Sequence, residues 1–171
     1  PYFFFAGALL EKYGVYNLIE AFKKINKSGV ELYICGHSGN QSKILQAIRE
    51  NKNIHYLGTL PVQNVLQYEM YALANINPRP FSIDLDKLSI PSKTLEYLSS
   101  GAPTISVKNS KLQKHFEDLA IWTKSGSVDD LYQGMLKVLD LTKKERKELG
   151  KAAKEKVQEL YSLDSVNKKL N

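Results

Sequence analysis

The chain has 171 residues, 43% of them hydrophobic and 25% charged, which suits one buried core and leaves too little for two. A net charge of +6 admits nucleic acid, an anionic membrane or a phosphorylated ligand as partner. No arginine-rich tract, zinc-finger spacing or aromatic-basic ribonucleoprotein motif supports nucleic acid, which is set aside. The single cysteine, Cys35, rules out an intrachain disulfide and reads as a small buried hydrophobe, and no apolar run is long enough to span a bilayer.

In chain order, YFFFAG (2 to 7) predicts a strand, and VYNLIEAFKKI (15 to 25) a helix with Leu18, Ile19, Phe22 and Ile25 on its buried face. VELYIC (30 to 35) predicts a second strand, and SKILQAIRENK (42 to 52) a helix with Ile44, Leu45 and Ile48 inward. NIHYLG (53 to 58) is a third strand, VQNVLQYEMYAL (62 to 73) a helix behind Pro61, and ANINP (74 to 78) a short fourth strand. A helix is expected from about Ser92 to Ser100, then a strand at PTISVK, a helix at LQKHFED and a sixth strand at LAIW (119 to 122). Ser127 with Asp130 marks the start of one further helix, and Thr142 with Glu145 forms a capping box for the last.

Strands and helices alternating in this way predict an α/β, Rossmann-like fold: a mostly parallel six-stranded sheet with helices on both faces. Such sheets bind ligands beyond the carboxyl ends of their strands, where strand order reverses. The chain opens on Pro1 and runs straight into a strand, so it is expected to be a single domain, residues 1 to 171, of a larger protein.

Three places carry candidate chemistry. GHSGN (36 to 40) follows the second strand and offers either a phosphate-facing glycine turn or plain turn geometry. No G-x-G-x-x-G or P-loop accompanies it. The histidines, His37, His55 and His115, lack metal spacing; only His37 sits on a strand-end loop. SIPSKTLEYLSSGAPTI (89 to 105) begins a helix just beyond a strand end. Its first turn holds Lys93 and no acid, although a helix N-terminus favours carboxylates. Either this is a solvated polar face, or amides, helix dipole and ammonium together make a phosphate site. Glu96, one turn deeper, is then placed to accept hydrogen bonds from a diol.

These segments resemble the C-terminal, donor-binding half of retaining glycosyltransferases of family 4, or group 1, which have the GT-B fold. FAGALLEKYGVYNLIEAF resembles the family's first strand and helix, LYICGHSGN its second strand and glycine turn, and NIHYLGTLP the segment that meets the base. INPRPFSIDLDKLSIPSKTLEYLSSGAPTI resembles the signature of members that build bacterial surface polysaccharides. The resemblance implies a sugar nucleotide as donor, no metal or other cofactor, and a glycan or lipid-linked acceptor held largely by a separate N-terminal domain. It implies a cytoplasmic enzyme, with the lysine-rich terminal helices available for peripheral contact with the inner membrane face.

Residue by residue, Glu96 takes the place of the ribose-binding glutamate that ends the family's E-x7-E motif. Ser92, Lys93 and Thr94 fall where amides face the diphosphate. Gly36 and His37 fall beside phosphates and ribose, the backbone near Leu60 beside the base, and Gly7 is a further donor-binding position. Two departures stand out. Leu88 occupies the place of the motif's first glutamate, with Asp84 and Asp86 nearby but out of register. Ala8 stands where such families carry an arginine, leaving Lys93, Arg79 and Lys12 as the diphosphate cations. The same architecture also serves sugar-nucleotide 2-epimerases, and the loss at Leu88 would suit a non-catalytic nucleotide-binding module.

Overall fold

The computed structural model describes residues 1–37, 42–82 and 90–161. The six strands are β1 (Tyr2–Ala6), β2 (Glu31–Cys35), β3 (Ile54–Tyr56), β4 (Ala74–Asn77), β5 (Thr104–Val107) and β6 (Ile121–Thr123). They form one sheet in the order β3-β2-β1-β4-β5-β6, and every neighbouring pair is parallel. The helices are α1 (Val15–Lys23), α2 (Ser42–Glu50), α3 (Val62–Tyr71), α4 (Ser92–Ser100), α5 (Ser110–Phe116), α6 (Val128–Asp140) and α7 (Lys143–Tyr161). Short 3-10 turns occupy Glu11–Tyr13 and Glu117–Leu119.

Period-two alternation along each strand sends side chains to two separate cores. Phe3 and Phe5 of β1, with Leu32 and Ile34 of β2, bury against Leu18, Ile19 and Phe22 of α1, Ile44 of α2 and Leu131, Met135 and Val138 of α6. Phe4, Ala6 and Cys35 point the other way, toward Val65, Tyr68 and Ala72 in and beside α3. A third cluster under α4, α5 and α7 gathers Leu98, Leu112, Phe116 and Ala153. Helices therefore cover both faces, as a sheet of near-continuous apolar strands requires.

Two expectations shift. On α2, Ile44 and Ala47 are buried while Leu45 is 42% exposed, because i and i+3 share a face and i+1 does not. The sixth strand starts at Ile121, since Leu119 closes a 3-10 turn. Both expected caps form: the Ser127 hydroxyl accepts from the Asp130 amide at 3.2 Å. Thr142 and Glu145 exchange reciprocal bonds, the Thr142 amide to the Glu145 carboxylate at 2.7 Å and the Glu145 amide to the Thr142 hydroxyl at 3.2 Å. Among the described residues no helix is long and apolar enough to cross a membrane.

Strand order reverses between β1 and β4, and there the two strands part. Their pairing covers Phe3 with Ala74 and Phe4 with Asn75, while β1 continues beside β2 through Ala6. Tyr97 of α4 fills the gap. The Ala6 amide donates to the Tyr97 oxygen at 2.9 Å, and the Tyr97 hydroxyl donates to the Ala6 carbonyl at 3.1 Å. The ring is fully buried, and burial pushes the phenol well above its ordinary pKa, so it stays a donor. Tyr97→Phe keeps the ring but strips Ala6 of both partners. Stability is expected to fall by about 2–3 kcal/mol, read as a lower urea midpoint at unchanged slope.

Candidate functional site

The carboxyl ends of β1, β2 and β4 surround the candidate site, and α4 delivers its first turn to them. Nothing in the sequence of that turn favours helix stability. Pro91 precedes it without a side-chain cap, and no acid occupies the turn. The Pro91 carbonyl accepts from the Thr94 and Leu95 amides at 3.0 and 3.2 Å. The Ser92 and Lys93 amides have no acceptor among the described residues.

The Lys93 ammonium lies against Glu96, donating to its two carboxylate oxygens at 3.0 and 3.1 Å. Lys93 and Glu96 remain 34% and 38% exposed. A pair of that kind contributes about 0.3–0.5 kcal/mol, while a cation in the first turn costs about 0.3–1 kcal/mol against the helix dipole. The two effects cancel at best. Stability therefore gives no reason for Lys93, and a ligand does.

Two clefts meet at this lysine. One, of about 250 Å3, is lined by Gly7, Ala8, Tyr13, Asn77, Arg79, Ser92 and Lys93. The other, of about 380 Å3, is lined by Gly36, Leu60, Val62, Val65, Leu66 and Glu96, together with Gly7 and Lys93. The first is basic: Arg79 sits over the Tyr13 ring at 5.2 Å, and Lys12 approaches the same ring at 5.2 Å. The second is mostly apolar, with Thr59 and the Lys93–Glu96 pair as the polar side chains in its lining.

Backbone geometry forms the floor. The Gly7 amide donates to the Cys35 carbonyl at 3.0 Å, and the Gly36 amide to the Gly58 carbonyl at 2.9 Å. Gly36 has φ +141, and a Cβ there would overlap the Gly7 carbonyl oxygen, so only glycine lets the β1 and β2 ends close together. Gly14, at φ +78, faces the Pro78 carbonyl with no room for a side chain, which brings Tyr13 alongside Arg79. Cys35 is 3% exposed, and burial raises its thiol pKa, so it acts as packing rather than as a nucleophile.

The structure thus brings Gly7, Gly36, Leu60, Arg79, Ser92, Lys93 and Glu96 to the clefts. It does not bring all the expected residues there. Thr94 turns inward: fully buried, its hydroxyl accepts from Asn77 Nδ2 at 2.8 Å and meets Ser106 Oγ at 2.9 Å. Its amide is spent on Pro91, so neither donor of Thr94 faces a diphosphate. His37 is exposed, and its carbonyl accepts from the Leu9 amide at 3.1 Å, while its ring lines neither cleft. Lys12 lines neither cleft and approaches the first through the Tyr13 ring. Ser38 to Asn40 of the glycine turn, and Asp84, Asp86 and Leu88, lie outside the described residues. No three His, Cys, Asp or Glu side chains among the described residues gather as metal ligands would.

Sequence reasoning missed four contributors. Asn75 and Asn77 alternate along β4 and are buried; Asn75 Nδ2 donates to the Glu69 backbone carbonyl and to Ser100 Oγ, both at 3.0 Å. Two asparagines at i and i+2 in a central strand were the available signal, because buried amides need partners. Tyr97 had a signal only in its apolar helical spacing. Glu69 had none: it is a lone carboxylate on α3, yet it is fully buried, and no donor among the described residues reaches its side-chain oxygens. Thr94→Val is expected to lose about 1–2 kcal/mol by leaving Asn77 and Ser106 without their partner, while nucleotide affinity stays within twofold. Chemical denaturation and calorimetry on the same variant check both halves.

Among curated proteins, none matches the sequence. Among solved structures, sucrose-phosphate synthase from Thermosynechococcus elongatus superposes with TM-score 0.77 at 18% identity, over 99% of this chain and 43% of that one. Anabaena HepE in complex with UDP and glucose superposes with TM-score 0.77 at 13% identity, over 99% and 46%. An α,α-trehalose-phosphate synthase (UDP-forming) from Burkholderia xenovorans gives 0.71 at 12%, over 99% and 43%. Likeness at these identities is likeness of fold, and this chain spans less than half the length of each. A family model for glycosyl transferases group 1 matches residues 1–156, nearly the whole described chain. The chain belongs to the group 1 glycosyl transferases.

Proposed function

We propose that this chain is the donor-binding domain of a retaining, metal-independent hexosyltransferase of the family 4, surface-polysaccharide type. The observation that carries this reading is the junction at Lys93, where a basic cleft and an apolar cleft meet at an uncapped helix N-terminus. A sugar nucleotide has the same division: apolar base, diol-bearing ribose, dianionic diphosphate. The base lies against Leu60 and Val62, the ribose hydroxyls donate to Glu96, and the diphosphate lies across Gly7 and the Ser92 and Lys93 amides. UDP- and GDP-sugars both fit this description.

In the transfer, the bond between the anomeric carbon and the diphosphate oxygen breaks and a bond to an acceptor hydroxyl oxygen forms. Negative charge builds on the leaving diphosphate oxygen, which takes up the proton that the acceptor hydroxyl gives up. Aligned amides, the α4 dipole, Lys93 and Arg79 stabilise that charge without reorganisation. On donor binding Lys93 exchanges Glu96 for the diphosphate, which frees the carboxylate for the ribose. The acceptor, a glycan or lipid-linked sugar, is held by an N-terminal domain, so the isolated domain binds donor and transfers poorly. The enzyme works in the cytoplasm, and the exposed lysines of α7 suit peripheral contact with an anionic inner leaflet.

Calorimetry with UDP- and GDP-sugars is expected to show one of them binding, weakened at least tenfold (about 1.4 kcal/mol) by Glu96→Ala and by Lys93→Ala. Unchanged affinity in both variants would remove the assignment. With the full-length protein, product analysis is expected to give a glycoside of retained anomeric configuration, formed equally in the presence of EDTA. An epimerised free sugar would support the 2-epimerase reading instead, and donor binding with neither product a non-catalytic module.

A further inference from the structure

Behind the Lys93–Glu96 pair lies a carboxyl group for which donor binding as described has no use. Glu69 reaches from α3 toward α4 and is fully buried. Neither side-chain oxygen meets a donor among the described residues, and where α3 packs on α4 the charged groups that face it are the Glu96 carboxyl and the Lys93 ammonium. A buried carboxylate with no donor and a second carboxylate beside it is costly, so one of the two must keep a proton. Glu96 is over a third exposed and bound to Lys93; Glu69 is enclosed. The proton belongs on Glu69.

We propose that Glu69 is a positioning residue for the donor site: as a neutral acid it donates a hydrogen bond from behind α4 to Glu96, fixing the carboxylate that receives the ribose. This rests on the reading of Glu96 as the ribose acceptor. It also answers a difficulty in that reading. When Lys93 leaves Glu96 for the diphosphate, Glu96 loses the two bonds that orient it. Among the described residues the Glu69 proton is the side-chain partner that stays, and Glu69 itself is enclosed rather than in the cleft lining.

The other groups around Glu69 suit this role. From α4 come Glu96, Lys93 and the buried Tyr97; from β2 comes Cys35. Burial raises the pKa of both Tyr97 and Cys35, so they remain neutral while Glu69 titrates. Burial first, and Glu96 second, push the Glu69 carboxyl up to about 8, with Lys93 opposing. Because its folded pKa is raised, the stability it contributes is complete below the ordinary carboxylate range and is lost as pH rises to about 8. Above that, a second negative charge beside Glu96 repels it and the diphosphate alike.

The test is the pH profile of donor affinity in the full-length protein, titrated with UDP-glucose and GDP-mannose between pH 6 and 9. Wild type is expected to lose at least fivefold in affinity across pH 7 to 9. Glu69→Gln, whose amide still donates to Glu96 but cannot ionise, is expected to bind within threefold of wild type at pH 7 and to give a flat profile. Glu69→Leu, which fills the space without a donor, is expected to weaken binding about tenfold at every pH. A Glu69→Gln profile that follows wild type overturns the proposal, as does wild-type affinity in Glu69→Leu at pH 7. Glu96→Ala separates the layers: unchanged affinity there overturns the ribose reading itself. A tenfold loss in Glu96→Ala, with Glu69→Gln tracking wild type, overturns the role of Glu69 alone.

Discussion

The hydroxyl of Tyr97 on the Ala6 peptide is the contact on which the site depends. A parallel sheet that reverses its strand order must open between the strands that diverge, and the opening exposes backbone groups that have no ladder partner. Tyr97 closes it with one oxygen that both accepts and donates. The same contact pins α4 to the end of β1, so the first turn of that helix arrives beside Gly7. Asn77, Thr94 and Ser106 tie the helix a second time, to β4 and β5. Two buried polar anchors, one toward each half of the sheet, fix the helix position more narrowly than apolar packing alone can.

The charges on that helix then make sense as a set. Lys93 is poorly placed for the helix and well placed for an anion. Glu96 holds it in the meantime at 3.0 and 3.1 Å, and Glu69 backs Glu96 from the buried side. The arrangement runs from enclosed neutral acid to half-exposed carboxylate to half-exposed ammonium, so the charged groups lie at the cleft and the desolvated one carries its proton. A reversed order would bury the charge and leave the rim without it.

Glycine conformation and strand-end spacing decide the shape of the clefts. The ends of β1 and β2 close together only because Gly36 has no side chain where the Gly7 carbonyl passes. That closeness puts Gly7 in the lining of both clefts, which also share Ala6 and Lys93. This chain spans under half of its structural neighbours.

The sequence by itself determined the elements and the class of the fold. Apolar spacing marks α1 and the strands to within two residues, and the reciprocal pattern of Thr142 and Glu145 marks the start of α7, because hydrogen bonds and faces repeat locally. It also pointed to Lys93 and Glu96, whose oddity is local: a cation in a turn that prefers an acid. It misplaced Thr94, which looks like a first-turn donor but is drawn inward by Asn77 and Ser106 from two other strands. Strand order, the gap that Tyr97 fills, and the meeting of Glu69 with Glu96 were decided only by the tertiary structure. Each joins residues far apart in the chain, and the burial that gives Glu69 its proton exists only once α3 and α4 have packed together.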